Sequence, residues 1–310
     1  MRLLTLAQAC LAGLAAGLAA GIVPGSEQEV YRSVEPAPIP VTHCVGCVGR
    51  MIDPYQYGLG KTSEGSRILA KQLISPLRMA FDGLDSESFY QVLRRQPDLI
   101  GPASIGSVSR GELLNGVQLD STAYWMVQDP RRAWGTPELV ECLERSIMSV
   151  QNSFPGTLPL YIGDLSRSEG GVLRGHASHQ SGRDADVGYY YRGESVWYLP
   201  ATEKNFDCDR NWAFVRAVLT DCSVEYIFVD FLVLVLLREH ARRVEEDKAW
   251  VESLFALGPK KPGIIRHEHG HRTHMHVRVR DWEAEALGAR VVRVRRWAED
   301  HPGRVRDVDK

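Results

Sequence analysis

The chain has 310 residues, 44% of them hydrophobic, enough to bury the core of one large domain or two small ones, which excludes disorder or a collagen-like repeat for most of its length. Its 39 acidic and 37 basic residues nearly cancel, so no global field favours nucleic acid or an anionic membrane surface, and any partner must be recognised locally.

The opening stretch, MRLLTLAQACLAGLAAGLAAGIVPGSEQ, carries one arginine, no charge from Leu3 to Val23, then Pro24 and polar residues. This is the pattern of an export signal, with Ala19 and Gly21 suiting cleavage near Gly21 to Gly25; residues 1–24 are read as a signal peptide and the protein as periplasmic or secreted. An uncleaved anchor is the alternative, because the apolar run is nearly long enough to span a bilayer. Its alanine and glycine content makes it weakly hydrophobic and favours cleavage, after which no stable span remains. Export lets thiols pair. Loss of Cys10 leaves Cys44, Cys47, Cys142, Cys208 and Cys222, an odd number, so structural disulfides are expected with one thiol free or bridging chains. Cys44 and Cys47, beside His43, form one CxxC that could be half a zinc knuckle, a redox pair or disulfide partners of distant cysteines; no second pair matches its spacing.

Residues 25–100 are punctuated by proline, glycine and serine and predict two short amphipathic helices, from Ser66 to Ile74, stopped by Pro76, and from Ser86 to Arg95, with no legible chemistry. A compact domain of alternating strands and helices is expected over residues 101–281. SIGSVSRGELLNGVQL reads as a hairpin with Gly106, Gly111 and Gly116 at turns or bulges. Thr136 and Pro137 open a helix, as cap and first helical residue, that ends by Pro155-Gly156. PLYIGDLS is a strand, and in the following loop, SRSEGGVLRGHASHQSGR, Gly170, Gly171, Gly175 and Gly182 let the backbone turn tightly. DADVGYYY alternates as a strand, Asn211 to Thr220 is helical, VEYIFV is a strand, Phe231 to Val244 is a mostly buried helix and MHVRVR is a strand. Residues 282–310 read as a mixed-charge tail. The fold class is α+β: a central, mainly antiparallel sheet carrying a zinc site and flanked by helices.

Seven of the ten histidines fall in two clusters, His176 and His179 in GHASHQSGRDAD, and His267, His269, His271, His274 and His276 in RHEHGHRTHMHVR. A single histidine is usually a solvated or core residue, but five within ten positions beside a strand point to metal binding or proton transfer. Strand residues two apart share a face, so His274 and His276 face one way and Val277 and Val279 the other, and Asp184 shares a face with Asp186. A loop from His179 returning through Gly182 brings that imidazole beside the Asp186 carboxylate. Two histidines and one aspartate then leave a fourth tetrahedral position for water, the pattern of catalytic rather than structural zinc.

The letters HEHGH at His267 to His271 match the HExxH motif of zincin metalloproteases, which requires a helix. Pro262 and Gly263 upstream, Gly270 inside and the strand just downstream argue against one. The bland reading, a polar surface loop that binds metal adventitiously, accounts for the second cluster but not the first.

GHASHQSGRDADV and HRTHMHVRV, supported by SIGSVSRGELLNGVQL, GTPELVE, the IGD of YIGDLS and EYIFV, resemble the penicillin-insensitive murein endopeptidase family, of the lysostaphin, D-Ala-D-Ala carboxypeptidase and sonic hedgehog fold group. The resemblance covers most of Gly101 to Arg280 and implies one zinc ion held by His179, Asp186 and His276, with His274 and His271 lining the active site as catalytic residues. It implies a peptidoglycan substrate, cut at the D-alanyl to meso-diaminopimelate cross-link. Some relatives carry a second metal position that uses the histidine matched by His176, but no histidine lies between His179 and His240 to complete it, so His176 is expected to bond or touch substrate instead. Asp184 is either an orienting partner of a ligand imidazole or a solvated carboxylate. Two further readings stay open: a D,D- or L,D-carboxypeptidase on the same scaffold, and a zinc-stabilised wall-binding module without activity.

Overall fold

A computed structural model of the protein describes residues 83–245, 247–255 and 263–306. The expected leader, the CxxC pair and the helix over Ser66 to Ile74 lie outside the described residues. In chain order the elements are α1 (Ser86–Arg95), β1 (Ala103–Ser107), β2 (Arg110–Leu114), β3 (Val117–Gln118), β4 (Trp125–Val127), β5 (Trp134–Gly135), α2 (Pro137–Ser153), β6 (Leu160–Ile162) and β7 (Asp184–Gly188). They continue through α3 (Cys208–Asp221), β8 (Val224–Val229), α4 (Phe231–Val244), α5 (Lys248–Leu254), β9 (Ile265–His267), β10 (His274–Val279), α6 (Trp282–Asp300) and α7 (Pro302–Arg306).

Six strands form the central sheet in the order β4-β6-β7-β10-β8-β9, antiparallel across its middle and parallel at the two outer pairs. This is the helix-flanked, mainly antiparallel sheet that the sequence predicts. Strand alternation divides its two faces. Ala185, Val187, Met275, Val277 and Val279 are buried apolar residues, and the positions between them carry Asp184, Asp186, His274 and His276. Helix α2 packs on β10, and α3 on α2. Cys142 of α2 and Cys222 at the end of α3 form a disulfide, and Cys208 is buried at the start of α3.

Aspartates start the helices. Asp85, Asp207, Asp230, Asp247 and Asp281 each accept a backbone N–H from the first turn of the helix that follows, a contact worth about 1 kcal/mol apiece. Thr136 does hold the cap position of α2, but its hydroxyl makes no capping bond; Asp281 instead accepts from the Glu138 amide, joining the start of α2 to the start of α6.

Four stretches differ from their reading. The C-terminal mixed-charge segment is largely the 19-residue helix α6, with Ala284, Gly288, Val291, Val294 and Ala298 buried at helical spacing beneath the charged residues. Phe89 of α1 joins Ile100, Ala103, Ile105, Val291 and Val294 in one apolar cluster, so the second helix assigned to the N-terminal region shares a core with β1 and α6. The strand DADVGYYY ends at Gly188, where the chain leaves the sheet, and α4 buries only one face, with Phe231 and Val244 exposed at its ends.

The disulfide closes a separation of 80 residues, which restricts the unfolded chain strongly. Replacing Cys142 and Cys222 with serine is expected to lower unfolding free energy by about 2–4 kcal/mol, read from urea denaturation under non-reducing conditions.

Candidate metal centre

The polar face of the β7–β10 pair sets the centre. These strands pair antiparallel with His276 opposite Asp186, Arg278 opposite Asp184 and His274 opposite Gly188. Directly opposed residues project to the same face at close range, so the register alone brings the Asp186 carboxylate to the His276 imidazole. On the other side of β10, Phe228 of β8 lies opposite His276 and packs its ring against the imidazole.

His179 arrives from the glycine-rich loop, where Gly170, Gly171, Gly175 and Gly182 all take positive φ as the sequence predicts. His179 itself has φ of 65°, a strained conformation for a branched polar chain, and its amide donates to Asp184 Oδ2 at 2.9 Å, which holds it there. Its ring Nδ1–H donates to the Leu165 carbonyl at 2.6 Å and leaves Nε2 as a bare acceptor pointing inward.

Asp184 is fully buried and fixes the other imidazole. Its Oδ1 lies 3.0 Å from His276 Nε2 and 2.6 Å from Arg278 Nε, so His276 donates from Nε2 and turns Nδ1 inward. Asp184 is thus an orienting partner, not a solvated carboxylate.

Three acceptors therefore converge: His179 Nε2, His276 Nδ1 and Asp186 Oδ1, separated by 3.2, 3.3 and 3.3 Å. Asp186 Oδ1 is buried and receives no hydrogen bond. Lone pairs at this spacing repel unless a positive charge sits among them. Either a proton or a cation answers the need, and bond lengths of about 2.0–2.2 Å to a tetrahedral zinc place its ligand atoms about 3.3–3.6 Å apart. The donor set and the separations both fit a zinc ion.

The same demand for positive charge governs titration. Burial opposes protonation of His276, but its bond to Asp184 and the adjacent Asp186 carboxylate outweigh burial and raise the imidazole to about 9. Burial likewise opposes ionisation of Asp184 and Asp186, yet the facing histidines hold both carboxyls well below the usual range. Burial pushes His274 down to about 4 and His271 down as well, so both face the centre as neutral imidazoles.

His274 Nε2 lies 3.8 Å from Asp186 Oδ1, and its Nδ1 is 2.9 Å from the Thr273 hydroxyl. His271, in the turn before β10, packs its ring 5.1 Å from that of His274. The turn is held by Tyr189, whose hydroxyl donates to the His271 carbonyl at 2.8 Å. His267 and His269 stand apart, edge-to-face with each other, and His267 also meets the exposed Phe231 ring edge-to-face. The HEHGH segment is strand β9 followed by a turn at Gly270, with Glu268 exposed, so the helix a zincin requires does not form.

His176 comes closer than its reading implies. With His179 and Asp186 it forms a second group of candidate ligands, its Nδ1 lying 3.6 Å from Asp186 Oδ2. The triangle with His276 is the tighter of the two, all three of its separations being 3.2–3.3 Å. His176 Nε2 instead bonds Asp164 Oδ2 at 2.9 Å, a contact that raises the His176 pKa, and Arg132 donates to the same oxygen at 2.9 Å. Asp164, Arg132 and Tyr189 are members of the site's framework that sequence reasoning missed. Asp164 did stand within the quoted IGD, but nothing in its spacing ties it to a histidine twelve positions on.

A family model for penicillin-insensitive murein endopeptidases, a metallopeptidase family, matches residues 104–205, the stretch that carries β1, β6, β7 and the His176–His179 loop. Over that stretch the chain is similar to this family. Among its curated members, the murein endopeptidase of Klebsiella pneumoniae strain 342 is 28% identical over 197 residues, 57% of this chain and 66% of that protein. The enzyme of Haemophilus influenzae is 28% identical over 210 residues, 61% of this chain and 68% of its own length. A shorter match, 39% over 88 residues, relates it to the protein of Escherichia coli O1:K1, over 27% of this chain and 31% of that one. The chain thus spans about two thirds of the length of the first two family members and less than one third of the last.

Because Asp184 sets the His276 tautomer and also pins His179, Asp184→Asn is expected to lower zinc affinity by about 10–100-fold, measured by competition with a chromogenic chelator, with the fold retained.

Proposed function

We propose that this chain is a zinc metallopeptidase that hydrolyses peptide cross-links of peptidoglycan, cutting the D-alanyl to meso-diaminopimelate bond. The observation that carries the reading is the buried triangle of His179 Nε2, His276 Nδ1 and Asp186 Oδ1, whose lone pairs converge on one point and call for positive charge there. These three residues would hold one zinc ion per chain. When bound, zinc supplies a Lewis acid that makes water acidic near pH 7 and polarises a carbonyl.

The chain's own residues do the rest. Asp184 and the Leu165 carbonyl orient the two imidazoles before any ligand arrives, so no reorganisation is needed during the reaction. His274, neutral and on the same strand face as His276, takes the proton from the attacking water or donates to the oxyanion of the tetrahedral intermediate. His271, one ring away, assists it, and Tyr189 keeps the His271 turn in place. A substrate in the cell wall agrees with the export expected of the leader. Similarity to this family supports the peptidoglycan reading, since the named relatives are murein endopeptidases. The pairing of His274 and His271 beside the triangle favours an enzyme over a zinc-stabilised binding module.

Digestion of purified sacculi tests this. Chelation should abolish the loss of cross-linked dimers and one equivalent of zinc should restore it; His274→Ala should keep the metal and lower kcat by about 10²–10⁴-fold, whereas Asp186→Ala should lose both metal and turnover. Trimming of terminal D-alanine with cross-linked dimers left intact would replace the endopeptidase with a carboxypeptidase. Glu268→Gln should leave activity within about twofold of wild type, and loss of activity there would revive the zincin assignment.

A further inference from the structure

The segment between β7 and α3 carries two aromatic residues to the candidate metal centre. Trp197 lies across Gly163 and Gly188: a Cβ on Gly163 would stand 2.4 Å from its Cη2, and one on Gly188 3.5 Å from its Cε3. Gly163 also abuts Asp186, and Gly188 is the cross-strand partner of His274. The indole therefore occupies the floor of the sheet face next to both residues, with ring centroids 6.1 Å from His274. Gly163 makes room for it, and at Gly188 the indole lies at ordinary contact distance.

Tyr198 follows with its ring stacked on the His274 imidazole, 5.8 Å between centroids and 17° between planes, while 60% of the residue stays exposed. Its φ is 65°, a region that costs a tyrosine backbone strain. The surrounding chain imposes it. Ser195 donates to the Pro159 carbonyl, the Tyr191 hydroxyl donates to the Leu199 carbonyl, and Ala201 and Arg272 exchange bonds at 2.8 and 3.0 Å, clamping the loop on both sides of Tyr198 and onto the His271–Arg272 turn. A large apolar ring is thus held in a strained pose, with one face on His274 and the remainder open to solvent. Burial of apolar surface in the folded chain does not account for that placement.

We propose that Trp197 and Tyr198 form an aromatic wall that receives the peptide arm of the substrate, with Tyr198 covering the aliphatic part of the residue that flanks the scissile bond. The inference rests on the peptidase reading. A peptide advances about 3.3–3.6 Å per residue, so a ring 5.8 Å from His274 reaches a group within two residues of the reacting carbonyl. That distance selects the stem peptide over the glycan strand, which lies farther along the polymer. The contact proposed is an apolar one, made by the ring.

Steady-state cleavage of a purified cross-linked muropeptide dimer by the full zinc-loaded chain tests it, with Tyr198→Asn and Tyr198→Phe as variants. Asparagine tolerates the left-handed backbone and so keeps the fold. Tyr198→Asn should lower kcat/KM about tenfold, mainly through KM, with zinc content and Tm unchanged, and Tyr198→Phe should stay within about twofold. An unchanged kcat/KM in Tyr198→Asn, or an equal loss in Tyr198→Phe, overturns the apolar wall. If the wild type leaves the dimer intact, the peptidase reading fails on its own, and calorimetric titration with the free stem tetrapeptide decides the wall: saturable binding lost in Tyr198→Asn supports it, and no saturable binding overturns it.

Discussion

The cross-strand register of β7 and β10 is the constraint on which the rest of the structure depends. It sets Asp186 against His276 and Asp184 against Arg278 on one face, and it leaves Ala185, Val187, Val277 and Val279 for the core on the other. A slip of one residue would turn the charged set into the apolar layer and the apolar set toward the metal centre, so the same hydrophobic pattern that folds the sheet also fixes that centre. Stability and chemistry are not separable here. The helix layer holding the apolar face, stapled by Cys142 and Cys222, holds the site's geometry with it.

Around that pair the charge balance is nearly closed before any ligand arrives. Asp184 answers Arg278, His276 and the His179 amide, and Asp164 answers Arg132 and His176. Asp186 Oδ1 alone is left without a donor, facing two imidazole lone pairs. Burial makes that gap costly, and the gap is where a cation is wanted. His179 is held in a left-handed conformation for the same end, its strain offset by a hydrogen bond to a buried carboxylate.

Much of this was legible in the sequence because strand periodicity is short-range. Side chains two apart share a face, so MHVRVR and DADV declare which of their residues point together, and Pro262 and Gly270 already argued against a helix at HEHGH. What periodicity cannot do is pair one strand with another. Nothing local joins Asp164 to His176, or Tyr189 to the His271 carbonyl, since those contacts exist only once β6, β7 and β10 are aligned. Trp197 and Tyr198 sit in a loop of ordinary composition, and the seat of the indole depends on a glycine, Gly163, elsewhere in the chain. Helix α6 escaped for a different reason: its buried stripe of alanine, glycine and valine is hydrophobic only weakly, and the arginines and acids between them dominate the eye.

The central claim is that His179, Asp186 and His276 hold a single zinc ion, with His176 outside its coordination shell. Anomalous diffraction at the zinc edge from crystals of the zinc-loaded protein tests it most directly. One peak per chain, within about 2.0–2.2 Å of His179 Nε2, Asp186 and His276 Nδ1, is the predicted result. A peak bound by His176 with His276 beyond ligand distance, or no peak in the triangle, would contradict it.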